Sequence, residues 1–384
     1  MQGSEVRDGI VEAAREAAAL IAAEAPAIEA GRRLTAPVLT TLRDTGVFRM
    51  AMSTSMGGPE RPLLAQVEVI EELSAADASV GWCAMIGSDG GYFASYLDPT
   101  AAAGMFPNLD MTIAAVVFPS GRARVEDGGY RVEGRWAFAS GAPHADWFFL
   151  NCVVVDGDGP VLTPAGQLET RMVALAPEQV RILDTWDTSG LVGTASHDVE
   201  VAAHVPFERT FNLFDASGSS PLCRWPFTFA LKALGVPLGV ARAAIDDALE
   251  VASTKVTMPA MTLVRDAQDV QDTIGRSRAA VGSARAYAFD ALGTFWDEVS
   301  QGDDPSPATI ADVRLAMTNA MQTSKGVVSR LYEALGTTGV YRRSTLERRL
   351  RDVTVMAQHR MWQTGTYAAA GRRALGLDPA YLGF

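Results

Sequence analysis

The residues able to do chemistry are few and lie far apart in the chain. Four histidines, His144, His197, His204 and His359, are scattered, and none has a carboxylate or cysteine partner at metal-ligand spacing. The three cysteines, Cys83, Cys152 and Cys223, are isolated and odd in number, which suits small core residues and not a disulfide framework. GxGxxG, GxxxxGK[ST], HExxH and GxSxG do not occur in usable context. Three strings remain. Gly134-Arg-Trp-Ala-Phe-Ala-Ser-Gly141 reaches Ser140, whose hydroxyl can both donate and accept, and runs on through Ala-Pro-His-Ala-Asp to Trp147. The stretch 184–198, DTWDTSGLVGTASHD, places Thr194 and Ser196 behind two turn glycines, Gly190 and Gly193. The stretch 351–359, RDVTVMAQH, ends on an imidazole suited to handling a proton. Each alone also fits an ordinary element: an edge strand with core aromatics, a polar loop, a helix face.

The elements that position these strings change character twice. Residues 1 to 110 read as a helical region. Val67, Ile70 and Leu73 share one face of a helix, and Gly57, Gly58 and Pro59 break the pattern between helices. From 111 to 215 the texture is strand-like: MTIAAVVF, then GGYRVEGRWAFASG with Tyr130, Val132, Trp136 and Phe138 alternating, then WFFLNCVVV, RMVALAP and SHDVEVAAHVPF. Short strands at this spacing predict a β-barrel or sandwich and not βαβ units. From 216 to 384 long helices return. Pro237 suits a helix start, and Ala241, Ile245, Ala248 and Val251 form its apolar stripe. Alanine-rich helices are predicted over 266–299 and 306–335, separated by QGDDPSP, and Ser344 with Glu347 fits a capping box. The organisation is three domains: 1–110, 111–215 and 216–384.

The 384 residues are 48% apolar and 20% charged, enough to bury a sizeable core. With 45 acidic and 33 basic residues the net charge is −12, which disfavours nucleic acid and anionic lipid as partners. Arg342, Arg343, Arg348, Arg349 and Arg351 cluster, but Glu347 and Asp352 interrupt them, so they read as a salt-bridged face or a subunit contact before a nucleic-acid patch. No stretch approaches the roughly 20 apolar residues of a membrane span. The N-terminus has no secretory pattern, and the cytoplasm is the expected compartment.

Taken together and in this order, the strings resemble the acyl-CoA dehydrogenase superfamily over nearly the whole chain. The subgroup they match is the two-component flavin-dependent monooxygenases, of which the 4-hydroxyphenylacetate 3-monooxygenase oxygenase components, the steroid-catabolic phenol hydroxylases and dibenzothiophene monooxygenase are examples. Leu42–Gly46, Gly57-Gly58 and Ala78-Ser-Val-Gly-Trp82 look like its N-terminal pattern. GRWAFASG with HADW, and TWDTSGLVGTASHDV, look like its middle-domain signatures. Gly336-Thr-Thr-Gly339 and the run to His359 look like its C-terminal flavin-side pattern.

The resemblance implies an N-terminal helical domain, a central β-barrel and a C-terminal four-helix bundle. It implies a reduced FMN or FAD cofactor reacting with O2 to a C4a-hydroperoxide that hydroxylates a small aromatic or polycyclic substrate. Since no pyridine-nucleotide motif is present, the reduced flavin is expected from a separate NAD(P)H-dependent flavin reductase. Ser140 is the expected partner of the flavin N5–H, and His359 the expected proton-handling or substrate-orienting group. Trp82, Trp186, Thr194, Ser196, Gly336 and Thr337 are expected around the flavin, and Arg265 at a neighbouring subunit's flavin phosphate in a homotetramer. The phenol hydroxylases carry a further histidine beyond the Gly-Trp of the N-terminal domain. Here the stretch 83–92, CAMIGSDGGY, has none, and Asp89 or Tyr92 is the expected substitute in the substrate pocket. Two alternatives stand beside this reading: an acyl-CoA dehydrogenase using another base, since VTVMAQHRMWQTGTY after Asp352 holds no carboxylate, and a non-catalytic ligand-binding member of the fold.

Overall fold

The computed structural model describes residues 2–157, 159–215, 220–259 and 261–378, with side chains from residue 9 onward. Helices come first: α1 (Gln2–Gly31), α2 (Ala36–Thr45), α3 (Leu63–Ala76), α4 (Ala78–Gly87), α5 (Gly90–Ala94) and α6 (Pro99–Met105). The strands follow: β1 (Ile113–Glu126), β2 (Gly129–Ala139), β3 (Trp147–Asp156), β4 (Gly159–Pro160), β5 (Thr170–Leu175), β6 (Val180–Leu183), β7 (His197–Pro206) and β8 (Thr210–Phe211). Then come α7 (Thr228–Leu231), α8 (Gly235–Thr254), a small hairpin of β9 (Val256–Thr257) and β10 (Thr262–Leu263), α9 (Gln268–Ser300), α10 (Pro307–Leu335), α11 (Thr345–Met356) and α12 (Gly365–Ala374). The expected boundary at 215/216 abuts residues 216–219, which lie outside the described residues.

The sheet runs β6-β7-β2-β1-β3-β5-β8, with β4 added to β3. β1 and β3 are parallel and the other pairings antiparallel. The expected barrel is therefore an open mixed sheet. Closure needs a continuous ladder around the ring, and among the described residues the outermost strands, β6 and β8, do not pair with each other. Residues of β3 alternate between two cores. Phe148, Leu150, Cys152 and Val154 point into one with Trp136 and Val199, and Phe149 into another with Phe93, Phe106 and Phe211. The second core welds the sheet to the N-terminal helices.

A larger core joins α1, α3 and α4 to α8, α9, α10 and α11. The segment Thr228–Thr254 is apolar and long enough to cross a membrane, contrary to the expectation that no stretch is, and 89% of its most apolar window is buried inside the protein. Its composition reflects burial on most sides among other helices. Two glycines bring it close to α3. A Cβ at Gly235 would lie 2.5 Å from the Val67 carbonyl oxygen, and one at Gly239 only 2.2 Å from that of Glu71.

The linker QGDDPSP separates α9 from α10 as its composition indicates, and Ser306 caps α10 by accepting from Thr309 N at 3.1 Å. The capping box at Ser344 does not form. The Ser344 side chain makes no cap bond, and Glu347 reaches forward to Arg351 at 2.6 Å. An ion pair one turn along the helix outcompetes the reciprocal cap.

The close approach of α3 and α8 fixes the platform from which α4 projects. Gly239→Ala forces backbone apart and is expected to reduce stability by about 1–3 kcal/mol, read as a lower denaturation midpoint. An unchanged midpoint would show that the two helices have slack.

Candidate active site

The three strings meet in space. α4 is capped by Asp77, whose Oδ1 accepts from Ser79 N at 2.9 Å and Val80 N at 3.1 Å. One turn on, Trp82 is 5% exposed and directs its indole at Ser140. Trp82 Nε1 donates to Ser140 Oγ at 3.0 Å. Ser140 Oγ lies 2.8 Å from Ser196 Oγ, which lies 2.7 Å from Thr194 Oγ1. The Thr194 hydroxyl donates to Leu191 O at 2.8 Å, and Gly141 N donates to Thr194 O at 2.8 Å.

An irregularity in β2 delivers Ser140 to this cluster. Pairing with β7 shifts register between Trp136 and Ala139. Phe138, expected to alternate with buried Trp136, instead has φ +65° and is 69% exposed. Such a bulge re-aims side chains beside it. Phe138 stands edge-on to Trp186, with ring centroids 6.2 Å apart. Trp186 Nε1 donates to Leu191 O at 3.0 Å.

Leu191 is itself left-handed, with φ +51°. Its N–H donates to Asp352 Oδ1 at 2.6 Å. Arg351 Nη1 donates to Ser189 O at 2.8 Å, and a Cβ on Gly190 would lie 2.2 Å from Arg351 O. The loop is thus pressed against α11. Arg351 also pairs with Glu29 of α1 and with Glu347, both at 2.6 Å, and Arg348 and Arg349 pair with Asp77 and Asp247, so these three form internal salt bridges, while Arg342 and Arg343 are exposed. Burial and the nearby Asp77 carboxylate raise the Asp352 carboxyl to about 7, against the pull of the Leu191 N–H, Arg348 and Arg351.

Beyond α11 the chain reaches His359. Its Nδ1 accepts from Met361 N at 3.3 Å, so the proton resides on Nε2. Its ring meets Trp82 edge-on at 5.5 Å. His359 is exposed at the surface while its ring packs against Trp82. Desolvation lowers its pKa to about 4, leaving it neutral at ordinary pH.

Trp82, Ser140, Trp186, Thr194, Ser196 and His359 therefore converge. The other expected residues do not join them. Arg265 is exposed in the turn preceding α9, 4.0 Å from Asp266. Gly336 and Thr337 are exposed at the end of α10, beside Lys255. Asp89 and Tyr92 are not open pocket residues. Each is 2% exposed, Asp89 is ion-paired to the fully buried Lys232, and Tyr92 Oη donates to Gln66 Oε1 at 2.9 Å. Their polar atoms are used internally because a buried ammonium and phenol need partners where they stand. Burial pushes Asp89 up to about 6 and Lys232 down, each opposed by the other's charge. Phe138, Leu191, Asp77 and Asp352 were not singled out from the sequence as site residues. Asp77 alone had a local signal, an aspartate directly before a helix.

The residues match two family models, those of the acyl-CoA dehydrogenase N-terminal domain over 4–97 and C-terminal domain over 232–364. Indole-3-acetate monooxygenase of Pseudomonas putida is 32% identical over 355 residues, covering 91% of this chain and 89% of the relative. The oxygenase component of an FADH2-dependent resorcinol hydroxylase from a Rhizobium species is 32% identical over 196 residues, half of this chain. XiaF from a Streptomyces species, solved with FADH2 and glycerol, is similar in fold, with TM-score 0.90 at 23% identity over 99% of this chain and 98% of that one.

Two titrations follow. For His359, the stability tied to its neutral form is present above 6.5 and lost as pH falls through about 4. Its imidazole Cε1–H resonance is expected to stay flat from about pH 8 down to about pH 5.5; an inflection between would contradict the assigned environment. For Asp352 the sign reverses. Its stabilising protonated form is fully present below 3.8 and lost as pH rises through about 7. Asp352→Asn should therefore gain stability relative to the parent as pH is raised across that window, followed by thermal melting.

Proposed function

The chain belongs to the acyl-CoA dehydrogenase family, and from that membership we propose that it is the oxygenase component of a two-component flavin-dependent monooxygenase acting on a small aromatic substrate. The observation that carries the reading is the cluster Trp82–Ser140–Ser196–Thr194 beside Phe138 and His359. Ser140 Oγ is engaged by Trp82 and Ser196 and retains an acceptor lone pair, while exposed Phe138 and the Trp186 beneath it offer an aromatic wall. A planar heteroaromatic with an N–H at its edge fits that donor and acceptor set.

Reduced FMN or FAD, when bound, supplies the electrons that place one atom of O2 on the substrate and release the other as water. The chain's own part is to hold and to shield. Ser140 accepts from the flavin N5–H. Trp82, Phe138 and Trp186 keep water from that edge. His359 has Nδ1 occupied and is neutral, so its free edge presents Nε2–H, which orients a substrate oxygen by donation. The relatives' names support an aromatic substrate and reduced flavin as cofactor.

A dehydrogenase reading calls for a carboxylate base, commonly placed shortly after the Arg-Asp pair of α11 and in some relatives elsewhere in the bundle. Asp352 is spoken for by Leu191 N–H, and no carboxylate follows it before Tyr367. With no pyridine-nucleotide motif in the sequence, reduced flavin comes on this reading from a separate NAD(P)H-dependent reductase. Exposed Arg265, Gly336 and Thr337, near the exposed apolar side chains Met258, Met261, Val340 and Tyr341, support a homotetramer in which a second copy completes each cofactor site. Three free, buried cysteines accord with a cytoplasmic enzyme.

Ser140→Ala tests the reading. The variant removes one small polar group and should fold, bind reduced flavin and consume O2. It should convert most of that O2 to hydrogen peroxide, lowering product per O2 by about tenfold, the scale of one hydrogen bond. Measured coupling equal to the parent's would remove Ser140 from the flavin edge. Pure protein loaded with flavin should not oxidise NADH by itself.

A further inference from the structure

We propose that the buried hydroxyl chain is polarised in one direction, from the Trp82 indole to the Leu191 carbonyl, and that this polarity makes the site select the redox state of its flavin. The inference rests on the reading that Ser140 faces the flavin N5.

The direction follows from groups with no choice. An indole nitrogen only donates, and a peptide carbonyl only accepts. Leu191 O stands 2.8 Å from Thr194 Oγ1, so the threonine proton is on that contact. Thr194 Oγ1 is 2.7 Å from Ser196 Oγ, and with its own proton spent it can only accept, so Ser196 donates to it. Ser196 Oγ is 2.8 Å from Ser140 Oγ, and by the same reasoning Ser140 donates to Ser196. Trp82 Nε1–H donates into Ser140 from the other side at 3.0 Å. Every proton is thereby placed. Ser140 and Ser196 are 6% and 4% exposed and Thr194 is fully buried, so bulk water does not offer these hydroxyls alternative partners.

Ser140 can then only accept from a ligand. Reduced flavin carries a proton on N5 and matches. Oxidised flavin presents a bare N5 lone pair and does not. To serve it, Ser140 would have to turn its proton away from Ser196, leaving two oxygen lone pairs facing each other at 2.8 Å in a dry setting. The mismatch amounts to about one hydrogen bond, on the order of tenfold in affinity. Such a bias admits the form the reductase delivers and releases the spent form. Ser196 and Thr194 are on this account specificity-determining residues that act through Ser140.

The test is anaerobic equilibrium titration of the purified full chain with reduced and with oxidised FMN, repeated with FAD. The parent should bind the reduced form about tenfold or more tighter. Ser196→Ala removes the acceptor for the Ser140 proton. Thr194→Val frees Ser196 to donate back to Ser140. Each should shrink the preference several-fold, chiefly through tighter binding of the oxidised form, while Thr194→Ser, which keeps the chain, should preserve it. Equal affinities in the parent, or an unchanged ratio in both Ser196→Ala and Thr194→Val, overturn the inference while leaving the functional reading standing. No binding of either flavin in either redox state overturns that reading, and this inference with it.

Discussion

Two segments distant in the chain, the loop 184–198 and α11, are joined at the backbone of one residue, Leu191. Its N–H is held by Asp352 on α11, and its carbonyl collects the Trp186 indole and the Thr194 hydroxyl. Leu191 adopts a left-handed backbone that a branched side chain takes up only when surrounding contacts impose it. Those contacts are a buried carboxyl oxygen accepting on one side and two donors on the other. Arg351 on Ser189 O and the close approach of Gly190 press the same loop against α11, and the pairing of Ala139 with His197 brings Ser140 beside Ser196. The hydroxyl cluster thus joins a sheet register to a backbone conformation held from a helix more than 150 residues further on.

Around that joint the larger elements act as rulers. α8 reaches α3 through Gly235 and Gly239 at distances that leave no room for a side chain. α4 follows α3 after the single residue Asp77, so the height of Trp82 is set by how deeply α3 sits. On the other side β3 is buried on both faces, which ties the sheet carrying Ser140 and Ser196 to the same N-terminal helices. Placement to a few tenths of an ångström at the site therefore rests on backbone-to-backbone contacts well away from it, where close packing tolerates little adjustment.

Much of this frame was legible in the residues. The order helical, strand, helical and the extents of α9 and α10 came from periodicity and from the breaker run QGDDPSP. The convergence of Trp82, Ser140, Trp186, Thr194, Ser196 and His359 came from resemblance, since no local pattern encodes a contact between residues 56 apart such as Ser140 and Ser196. What was illegible has physical causes. Phe138 fits the alternation of its strand and leaves it because a bulge inserts there, which depends on pairing with β7. The sheet reads as a barrel because strand spacing is local while closure is a property of the whole ladder. Asp89 and Tyr92 read as free polar groups because Lys232, their buried neighbour, lies 143 residues from Asp89.

That buried pair has a consequence for how this sequence can change over time. Lys232 is fully buried, salt-bridged to Asp89 and placed 4.5 Å over the Tyr92 ring. Losing either charge alone strands the other in an apolar interior, whereas exchanging both for apolar groups of similar volume is often neutral or better. The two positions are therefore coupled in descent. Single-step replacements at either pass through a poorly folding intermediate, so the pair can persist as an inherited unit without contributing to catalysis, and its retention among sister sequences would record a barrier between alternatives more than a benefit.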